Sequence, residues 1–368
     1  MALTADRSAP GEAAPGARAL GGIHHLTAVC SDAQRTVAFY TSVLGFRLVK
    51  KTVNFDDPGS YHLYFGDSVG TPGTLLTFFE WANLPKGRWG IGTTHHVALA
   101  VGSTEAQLQW KRFLTDKGLR VTGPYDRTYF HSIYFTDPDG LILEIATRGP
   151  GFASDEPRGS LGTREILPGA AQTRSGRDDA AIEAATWPEP VASITAEMRL
   201  TGIHHITAIA SDIGATDAFY TGLLGFDRVK KTVNFDDPTS PHYYFSMHGG
   251  APGSIVTYFG YPHRSMRVGE MGTGLTHHFA FAVASDDVQL EWREKLLRAN
   301  VPVSGVMERI YFRSIYFADP DGHVLEIATA GPGFLADEPA ATLGTALSLP
   351  PWLEGRRGTI EASLQKLS

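Results

Sequence analysis

A chain of 368 residues is longer than one ordinary hydrophobic core organises, which predicts two or more domains. Hydrophobic residues make up 42% and charged residues 19%, as in soluble globular proteins, and a net charge of -7 argues against a nucleic-acid or anionic-membrane partner. No apolar run reaches the roughly 18 residues that a membrane span needs. Cys30 is the only cysteine, so any metal must be bound by nitrogen and oxygen ligands, and the cytoplasm is the expected location.

The chain repeats itself after its first twenty residues. GIHHLTAVC at 22–30 returns as GIHHITAIA at 202–210, and KKTVNFDDP occurs unchanged at 50–58 and 230–238. The stretch that begins YFHSIYFTDPDG at Tyr129 is repeated 182 residues later as YFRSIYFADPDG. Nine identical residues in a row are not a chance match, so the two halves of the chain are homologous.

Each half divides again into two units with one pattern. A His-His pair followed by alternating apolar residues opens each unit, a helical stretch with Asp or Ser near its start follows, and three short strand-like runs complete it. The helices are expected over 31–44, 103–118, 211–224 and 285–299. The sequence therefore predicts an α+β fold of four βαβββ modules, at 22–82, 92–148, 202–262 and 274–330.

Three segments fall outside the modules. Residues 1–20 are rich in Ala, Gly and Pro and lack the apolar block of a signal peptide, so we expect a disordered leader. Residues 153–200 show no sustained periodicity and are predicted to be a linker of low order between a first domain, 21–152, and a second domain, 201–334. Residues 335–368 form a tail that is expected to end in a short amphipathic helix.

Four His-His pairs mark the first strand of each module. Adjacent side chains of a strand face opposite ways, so one histidine of each pair points inward and its neighbour points elsewhere. The second member is in phase with the apolar residues of the strand, as His278 is with Ala280 and Ala282, and is therefore the expected ligand. These second members are His25, His96, His205 and His278.

A glutamate interrupts the apolar last strand of the second and fourth modules. Glu144 and Glu326 each stand 48 residues after the second histidine of their module (96 to 144, 278 to 326). A carboxylate between Leu and Ile is costly to bury unless it is paired or binds a metal. The other two modules have Thr77 and Thr257 at the matching positions, so each site has three protein ligands rather than four. Two imidazoles and one carboxylate with open positions are typical of non-haem iron(II) oxygenases.

The segments GIHHITA, KKTVNFDDP, GTPGTLLTFF, YFRSIYF and LPPWLE together resemble sequences of the vicinal oxygen chelate superfamily, which includes glyoxalase I, bleomycin-resistance proteins and extradiol dioxygenases. More narrowly, they are similar to bacterial ring-cleaving dioxygenases of the hydroquinone dioxygenase type, over nearly the whole chain from residue 21. The resemblance implies two vicinal-oxygen-chelate domains whose curved mixed sheets enclose the metal site. It also implies iron(II), dioxygen and a para-hydroquinone cleaved beside a hydroxyl group. Manganese(II) suits the same ligands.

The same resemblance implies which residues act. It implies a metal held by one histidine of the first module and by a histidine and a glutamate of the fourth, here His25, His278 and Glu326. The residues implied beside this metal, as proton carriers or groups that stabilise negative charge, are His24, Thr27, His277, Arg309 and Tyr316.

The chain departs from the family pattern because it retains a second complete set. Its ligands are His205, His96 and Glu144, with the equivalents His204, Thr207, His95, Arg127 and Tyr134. The residues alone leave open whether each half builds its own site or whether the halves exchange modules, as the family suggests.

The favoured hypothesis is an iron(II) extradiol-type dioxygenase that acts on a hydroquinone or catechol, with this diphenol and O2 as partners. One alternative is a glyoxalase-like isomerase or lyase with zinc, nickel or manganese, which the missing fourth ligand disfavours. Another is a protein that binds an aromatic compound or drug without turnover, which two intact ligand sets disfavour. The aromatic residues that could wall a ring pocket or belong to the core are Phe78, Phe79, Trp81, Tyr258, Phe259 and Tyr261. Homo-oligomerisation is left open.

Overall fold

The computed structural model describes residues 19–367, so the expected leader lies outside it except for its last two residues. The strands of this part of the chain are β1 (Ile23–Cys30), β2 (Arg47–Val53), β3 (Tyr61–Gly66), β4 (Leu75–Glu80), β5 (Thr94–Val101), β6 (Thr122–Asp126), β7 (His131–Thr136), β8 (Ile142–Thr147), β9 (Ile203–Ala210), β10 (Asp227–Val233), β11 (Pro241–Ser246), β12 (Ile255–Gly260), β13 (Thr276–Val283), β14 (Met307–Glu308), β15 (Arg313–Ala318) and β16 (Val324–Thr329). The helices are α1 (Ala33–Ala38), α2 (Thr104–Asp116), α3 (Asp179–Ala184), α4 (Ile213–Asp217), α5 (Asp286–Arg298), α6 (Pro351–Glu354) and α7 (Arg357–Ser363). The predicted α+β order of four βαβββ modules is confirmed.

The helices of the modules begin where the sequence supplies a cap. The side chains of Asp32, Ser103 and Ser285 accept hydrogen bonds from backbone N–H groups in the first turns of α1, α2 and α5. The buried amides of Gln107 and Gln289 each donate to backbone carbonyls of the last two strands of their module. These bonds hold α2 and α5 against the strands that carry Glu144 and Glu326. Within residues 19–367, no helix combines the length and apolar character required to cross a bilayer.

Each of two eight-stranded sheets takes one module from each half of the chain. The first has the order β14-β15-β16-β13-β1-β4-β3-β2, and the second has the order β10-β11-β12-β9-β5-β8-β7-β6. Strands β1 and β13 pair antiparallel at the centre of the first sheet, as β5 and β9 do in the second. Parallel pairs flank them on both sides, so the sheets are mixed, as predicted. The structure therefore has the exchanged arrangement, and neither sheet coincides with the half 21–152 or 201–334.

The segments that follow the second and fourth modules are irregular but fixed in place. Lys230 of β10 is fully buried and donates to Asp155 at 2.6 Å and Glu156 at 3.0 Å, which belong to the linker. In the tail, Asp337 and Glu338 accept hydrogen bonds from the equally buried Lys50 of β2. A buried ammonium needs such partners, so these ion pairs tie linker and tail to the sheets. The linker 153–200 is largely irregular, and these contacts attach its first residues to the second sheet.

Two DPDG turns join the sheets to each other. Asp137, between β7 and β8, accepts a hydrogen bond from Tyr40 of the first module at 3.2 Å. Asp319, between β15 and β16, accepts one from Tyr258 of the third module at 2.8 Å and also contacts His323 at 2.8 Å. Burial raises the pKa of Asp137 to about 6. Burial acts in the same direction on Asp319, but the adjacent His323 lowers the pKa of that carboxyl below its ordinary value.

We expect Asp137→Asn to remove a pH-dependent loss of stability. The folded protein holds the Asp137 proton more tightly than the unfolded chain does. The contribution of Asp137 to the free energy of unfolding therefore falls as the pH rises from its ordinary pKa of 3.8 to about 6, and it is constant above that pH. Each unit of pKa shift corresponds to about 1.4 kcal/mol. The difference in melting temperature between variant and wild type should therefore change between about pH 4 and about pH 7.5, and the higher pH should favour the variant.

The matched variant Asp319→Asn should behave in the opposite way. It removes a carboxylate that pairs with His323, so it should lower the melting temperature at neutral pH. An Asp137→Asn protein whose melting temperature follows the wild-type pH dependence throughout would contradict this account.

Candidate metal centres and their cavities

The register of three strands brings the first predicted ligand set together. His25 of β1 lies opposite Ala280 of β13, and Ala280 lies opposite Glu326 of β16, so these residues form one row across the sheet. His278 precedes Ala280 by two residues and therefore projects from the same face of β13. The equivalent row in the second sheet runs through β9, β5 and β8.

Both ligand sets converge on a common point. In the first, the Nε2 atoms of His25 and His278 lie 3.3 Å apart and 3.3 and 3.0 Å from Oε2 of Glu326. In the second, the Nε2 atoms of His96 and His205 lie 3.4 Å apart and 2.9 and 3.3 Å from Oε2 of Glu144. We name them the 1/4 triad and the 2/3 triad, after the modules that supply them. All six side chains are buried.

The chemistry of the triads fits a divalent cation. Neighbouring ligand atoms bound to one ion at about 2.1 Å stand close to 3 Å apart, as these do. Oε2 of Glu144 and Oε2 of Glu326 are buried without an assigned hydrogen-bond partner. Burial would raise the pKa of both carboxyls, but the two imidazoles beside each one lower it well below its usual range. The glutamates are therefore ionised and available as ligands.

Strand alternation predicted that the first member of each His-His pair points away from the site. In the structure it does not. His24, His95, His204 and His277 are each the extra residue of a β-bulge in the pairing of β1 with β13 or of β5 with β9. A β-bulge places two successive residues of one strand opposite a single residue of the partner strand and changes the direction of a side chain. The Nδ1 atom of each first histidine consequently lies 2.8–2.9 Å from Nδ1 of the second.

This contact can fix which nitrogen of the second histidine carries its proton. An imidazole that binds a metal through Nε2 has its proton on Nδ1, where it needs an acceptor. Burial lowers the pKa of His24, His95, His204 and His277 to about 3, so these rings are neutral and their Nδ1 atoms can accept. Each first histidine is therefore placed to accept the Nδ1 proton of the second histidine and to orient its ring.

Thr77 and Thr257 occupy the positions that correspond to the glutamates. Thr77 of β4 is paired with Thr27, which follows His25 by two residues. In the same way, Glu326 of β16 is paired with Ala280, which follows His278 by two residues. Its hydroxyl contacts Thr27 at 2.7 Å and Nε2 of His62 at 3.0 Å. Thr257 makes the same contacts with Thr207 and His242, both at 2.8 Å. Each triad therefore has three protein ligands among the described residues.

The two histidines of each triad line a cavity, and the two cavities differ in size. The 2/3 cavity measures about 340 Å³ and includes Arg127, Tyr134 and His95 in its lining. The 1/4 cavity measures about 30 Å³ and includes Arg309 and Tyr316. A cavity of roughly 150 Å³ is large enough to bind benzene, and about 30 Å³ is the share of one water molecule in the liquid. Only the 2/3 cavity has room for an aromatic ring in this structure.

The predicted tyrosines and arginines stand side by side in both cavities. Arg127 donates to the Tyr134 hydroxyl at 3.4 Å, and the Arg309 guanidinium lies over the Tyr316 ring at 5.5 Å. Burial, and then the charge of the nearby glutamate, raises the pKa of Tyr134 and Tyr316 above its usual range. Both hydroxyls are therefore protonated at neutral pH and can donate hydrogen bonds.

The sequence interpretation missed several residues that line the cavities. In His62 and in His242, the Nδ1 atom contacts a tyrosine hydroxyl and the Nε2 atom contacts a threonine hydroxyl. The available signal was their recurrence at the 180-residue offset of the repeat. Of the six candidate aromatic residues, Phe79 and Phe259 line cavities, and Phe78 and Tyr258 are core residues. The ring of Trp81 stacks on Phe79. The hydroxyl of Tyr261 accepts a hydrogen bond from Asn234.

Comparison with known proteins agrees with this geometry. The profile described as Glyoxalase/Bleomycin resistance protein/Dioxygenase superfamily matches residues 22–145 and 202–327. The chain belongs to this superfamily. It is 33% identical over 348 residues to MhqE of Bacillus subtilis, named as a candidate ring-cleaving dioxygenase, with 94% of this chain and 99% of MhqE covered. It is 29% identical over 344 residues to the chlorohydroquinone/hydroquinone 1,2-dioxygenase of Sphingobium indicum, with 91% of this chain and 92% of that protein covered.

Solved structures give the same picture. The crystal structure of a candidate dioxygenase from Bacillus subtilis has a TM-score of 0.75 at 31% identity, over 95% of this chain and 98% of that chain. Glyoxalase I from Zea mays has a TM-score of 0.54 at 15% identity, over 84% of this chain and 92% of that chain, and shares the fold. The relatives that match nearly the full length are thus named as dioxygenases.

We expect His277→Ala to weaken metal binding at the 1/4 triad about 10- to 100-fold, because His278 loses the acceptor that orients its ring. His277→Asn offers a replacement acceptor and should recover part of the affinity. Metal titration against a chromophoric chelator measures both effects.

The matched variant His95→Ala should weaken the 2/3 triad and leave the 1/4 triad unchanged. Each single variant is therefore expected to lose one tight metal-binding phase and keep the other. Retention of both phases in His277→Ala would show that His277 does not position His278.

Proposed function

We propose that this protein is an iron(II)-dependent dioxygenase that opens a hydroquinone- or catechol-like ring with both atoms of O2. The observation that carries the proposal is the 2/3 triad, in which two histidines line a cavity of about 340 Å³ and a buried glutamate lies beside them. The name of the Sphingobium indicum relative supports a hydroquinone, and the other full-length relatives support ring cleavage.

The ligand set supports iron(II). Two neutral imidazoles and a carboxylate suit iron(II) and leave positions open for substrate and O2, and manganese(II) is the alternative ion. When bound, the ion lowers the pKa of a phenol and supplies the redox chemistry that O2 requires. A glyoxalase-like isomerase with a fourth glutamate ligand is disfavoured, because Thr257 occupies that position and its hydroxyl bonds to Thr207 and His242.

The residues around the 2/3 triad have distinct tasks in this proposal. His95 and His204 hold the two ligand imidazoles in place through their Nδ1 contacts. The protonated Tyr134 hydroxyl can donate a hydrogen bond to an oxygen of the substrate, and Arg127 places a positive charge beside that hydroxyl. Aromatic rings that include Phe130 and Phe259 line the rest of the cavity and exclude water from the ring.

The proposal is tested on protein loaded anaerobically with iron(II). Bound metal is measured per chain, and oxygen uptake is then followed with hydroquinone and catechol. Labelled dioxygen should place both isotopic oxygen atoms in the ring-opened product. Absence of oxygen uptake with every diphenol would rule out the proposed activity.

We expect Glu144→Gln to remove one of the two bound ions and most of the turnover, because the 2/3 triad adjoins the cavity that can hold a ring. Glu326→Gln should remove the other ion with a smaller effect on turnover. Glu80→Gln is the matched control, a buried glutamate outside both triads that accepts a hydrogen bond from the backbone of Ala33. Glu144→Gln protein with unchanged metal content and activity would contradict the assignment of the 2/3 triad.

A further inference from the structure

The arginines of the two cavities differ in their charge partners. Arg309 in the 1/4 cavity lies 3.5 Å from a carboxylate oxygen of Asp56. Arg127 in the 2/3 cavity has no carboxylate oxygen within 4 Å of its guanidinium among residues 19–367. Its surroundings are the rings of Tyr125, Tyr134 and Phe235, at 5.1–5.9 Å, and the Tyr134 hydroxyl.

The aspartate that corresponds to Asp56 is paired with an arginine of the linker instead. Asp236 corresponds to Asp56 in the repeated KKTVNFDDP segment and also lines its cavity. Its carboxylate accepts a hydrogen bond from Arg177, which is also paired with Asp179 at 2.6 Å. The Arg177 guanidinium lies over the Tyr125 ring at 4.6 Å, which fixes it at the edge of the cavity. Arg177 is thereby paired with the carboxylate that corresponds to the partner of Arg309.

The positive charge of a guanidinium in a largely aromatic cavity is poorly compensated unless an anion lies beside it. Stacking on rings contributes modestly, and a neutral hydroxyl at 3.4 Å is a weak acceptor. A carboxylate can accept two parallel hydrogen bonds from the planar guanidinium, and such pairs are among the strong polar contacts in proteins. The pairing with Arg177 weakens the repulsion that Asp236 would exert on an incoming anion.

We propose that the 2/3 cavity is selective for a diphenol whose ring bears a carboxylate group, and that Arg127 binds this carboxylate. The inference rests on the proposed function, because it places the hydroxyl groups of the same ring at the 2/3 triad. Tyr134 lies between the two binding points, since its hydroxyl contacts Arg127 and its ring lies 5.4 Å from that of His96. The volume of about 340 Å³ accommodates a ring with such a substituent. At the 1/4 cavity, Arg309 already has a carboxylate partner in Asp56.

The experiment measures binding in the absence of oxygen. Iron(II)-loaded protein is titrated anaerobically with hydroquinone and with 2,5-dihydroxybenzoate, which differ only in the carboxylate. We expect the carboxylated ligand to bind at least about 10-fold more tightly, the usual gain from a hydrogen bond to a charged group. Arg127→Met should abolish this preference, and the matched variant Arg309→Met should preserve it. Equal affinities of wild-type protein for the two ligands would overturn the inference.

Variants of the linker give a second test that leaves Arg127 in place. Arg177→Ala releases Asp236, which can then pair with Arg127 as Asp56 pairs with Arg309. The affinity for 2,5-dihydroxybenzoate should fall about 10-fold, while the affinity for hydroquinone should not change. The double variant Arg177→Ala/Asp236→Asn removes the competing carboxylate and should restore the preference. A double variant as weak as Arg177→Ala would contradict the proposed competition.

The outcomes separate this inference from the proposed function. Oxygen uptake with hydroquinone, without a carboxylate preference in binding, would support the dioxygenase and overturn the selectivity. An Arg127-dependent preference in binding, without oxygen uptake for any diphenol, would support the selectivity and overturn the dioxygenase.

Discussion

Two carboxylates, those of Glu144 and Glu326, are completely buried in apolar strands, and the structure around them must compensate their charge. Each glutamate receives one imidazole from its own half of the chain and one from the other half. The second imidazole arrives through the central pairs β1–β13 and β5–β9. The ladder that joins the halves and the candidate metal centre are therefore the same structural feature. A change that separates these strands would expose unpaired charge as well as apolar surface.

The duplication produced two chemically equal triads but unequal surroundings. The ligands, the orienting histidines, and the tyrosine and arginine recur in both sheets, because they lie in strands or in turns next to them. Some of the differences come from the segments that follow the modules. Trp352 in the tail contacts Phe55 at the 1/4 cavity, whereas Arg177 in the linker holds Asp236 at the edge of the 2/3 cavity. The sheets differ as well, since Thr122 and Tyr125 of β6 line the cavity of about 340 Å³, whereas the equivalent strand β14 is only two residues long and does not line the cavity of about 30 Å³.

The order of the modules and the identity of the triads could be predicted because they depend on local periodicity and on repetition. The pairing of modules could not, since β1 and β9 carry nearly the same sequence and either could face β13. The bulges at His24 and His277 were also hidden, because an alternation rule assumes a regular ladder. The contact of Arg177 with Asp236 joins residues 59 apart and has no counterpart in a sequence pattern. Local signals thus determine the strands, and long-range contacts determine the cavities.

The central claim is that strands from opposite halves build each metal centre. Anomalous diffraction at the iron absorption edge, from crystals grown anaerobically with iron(II), tests it most directly. The account predicts two peaks, one among His25, His278 and Glu326 and one among His96, His205 and Glu144. A peak shared by His25, His96 and Glu144, or no peak at either triad in iron-loaded protein, would contradict it.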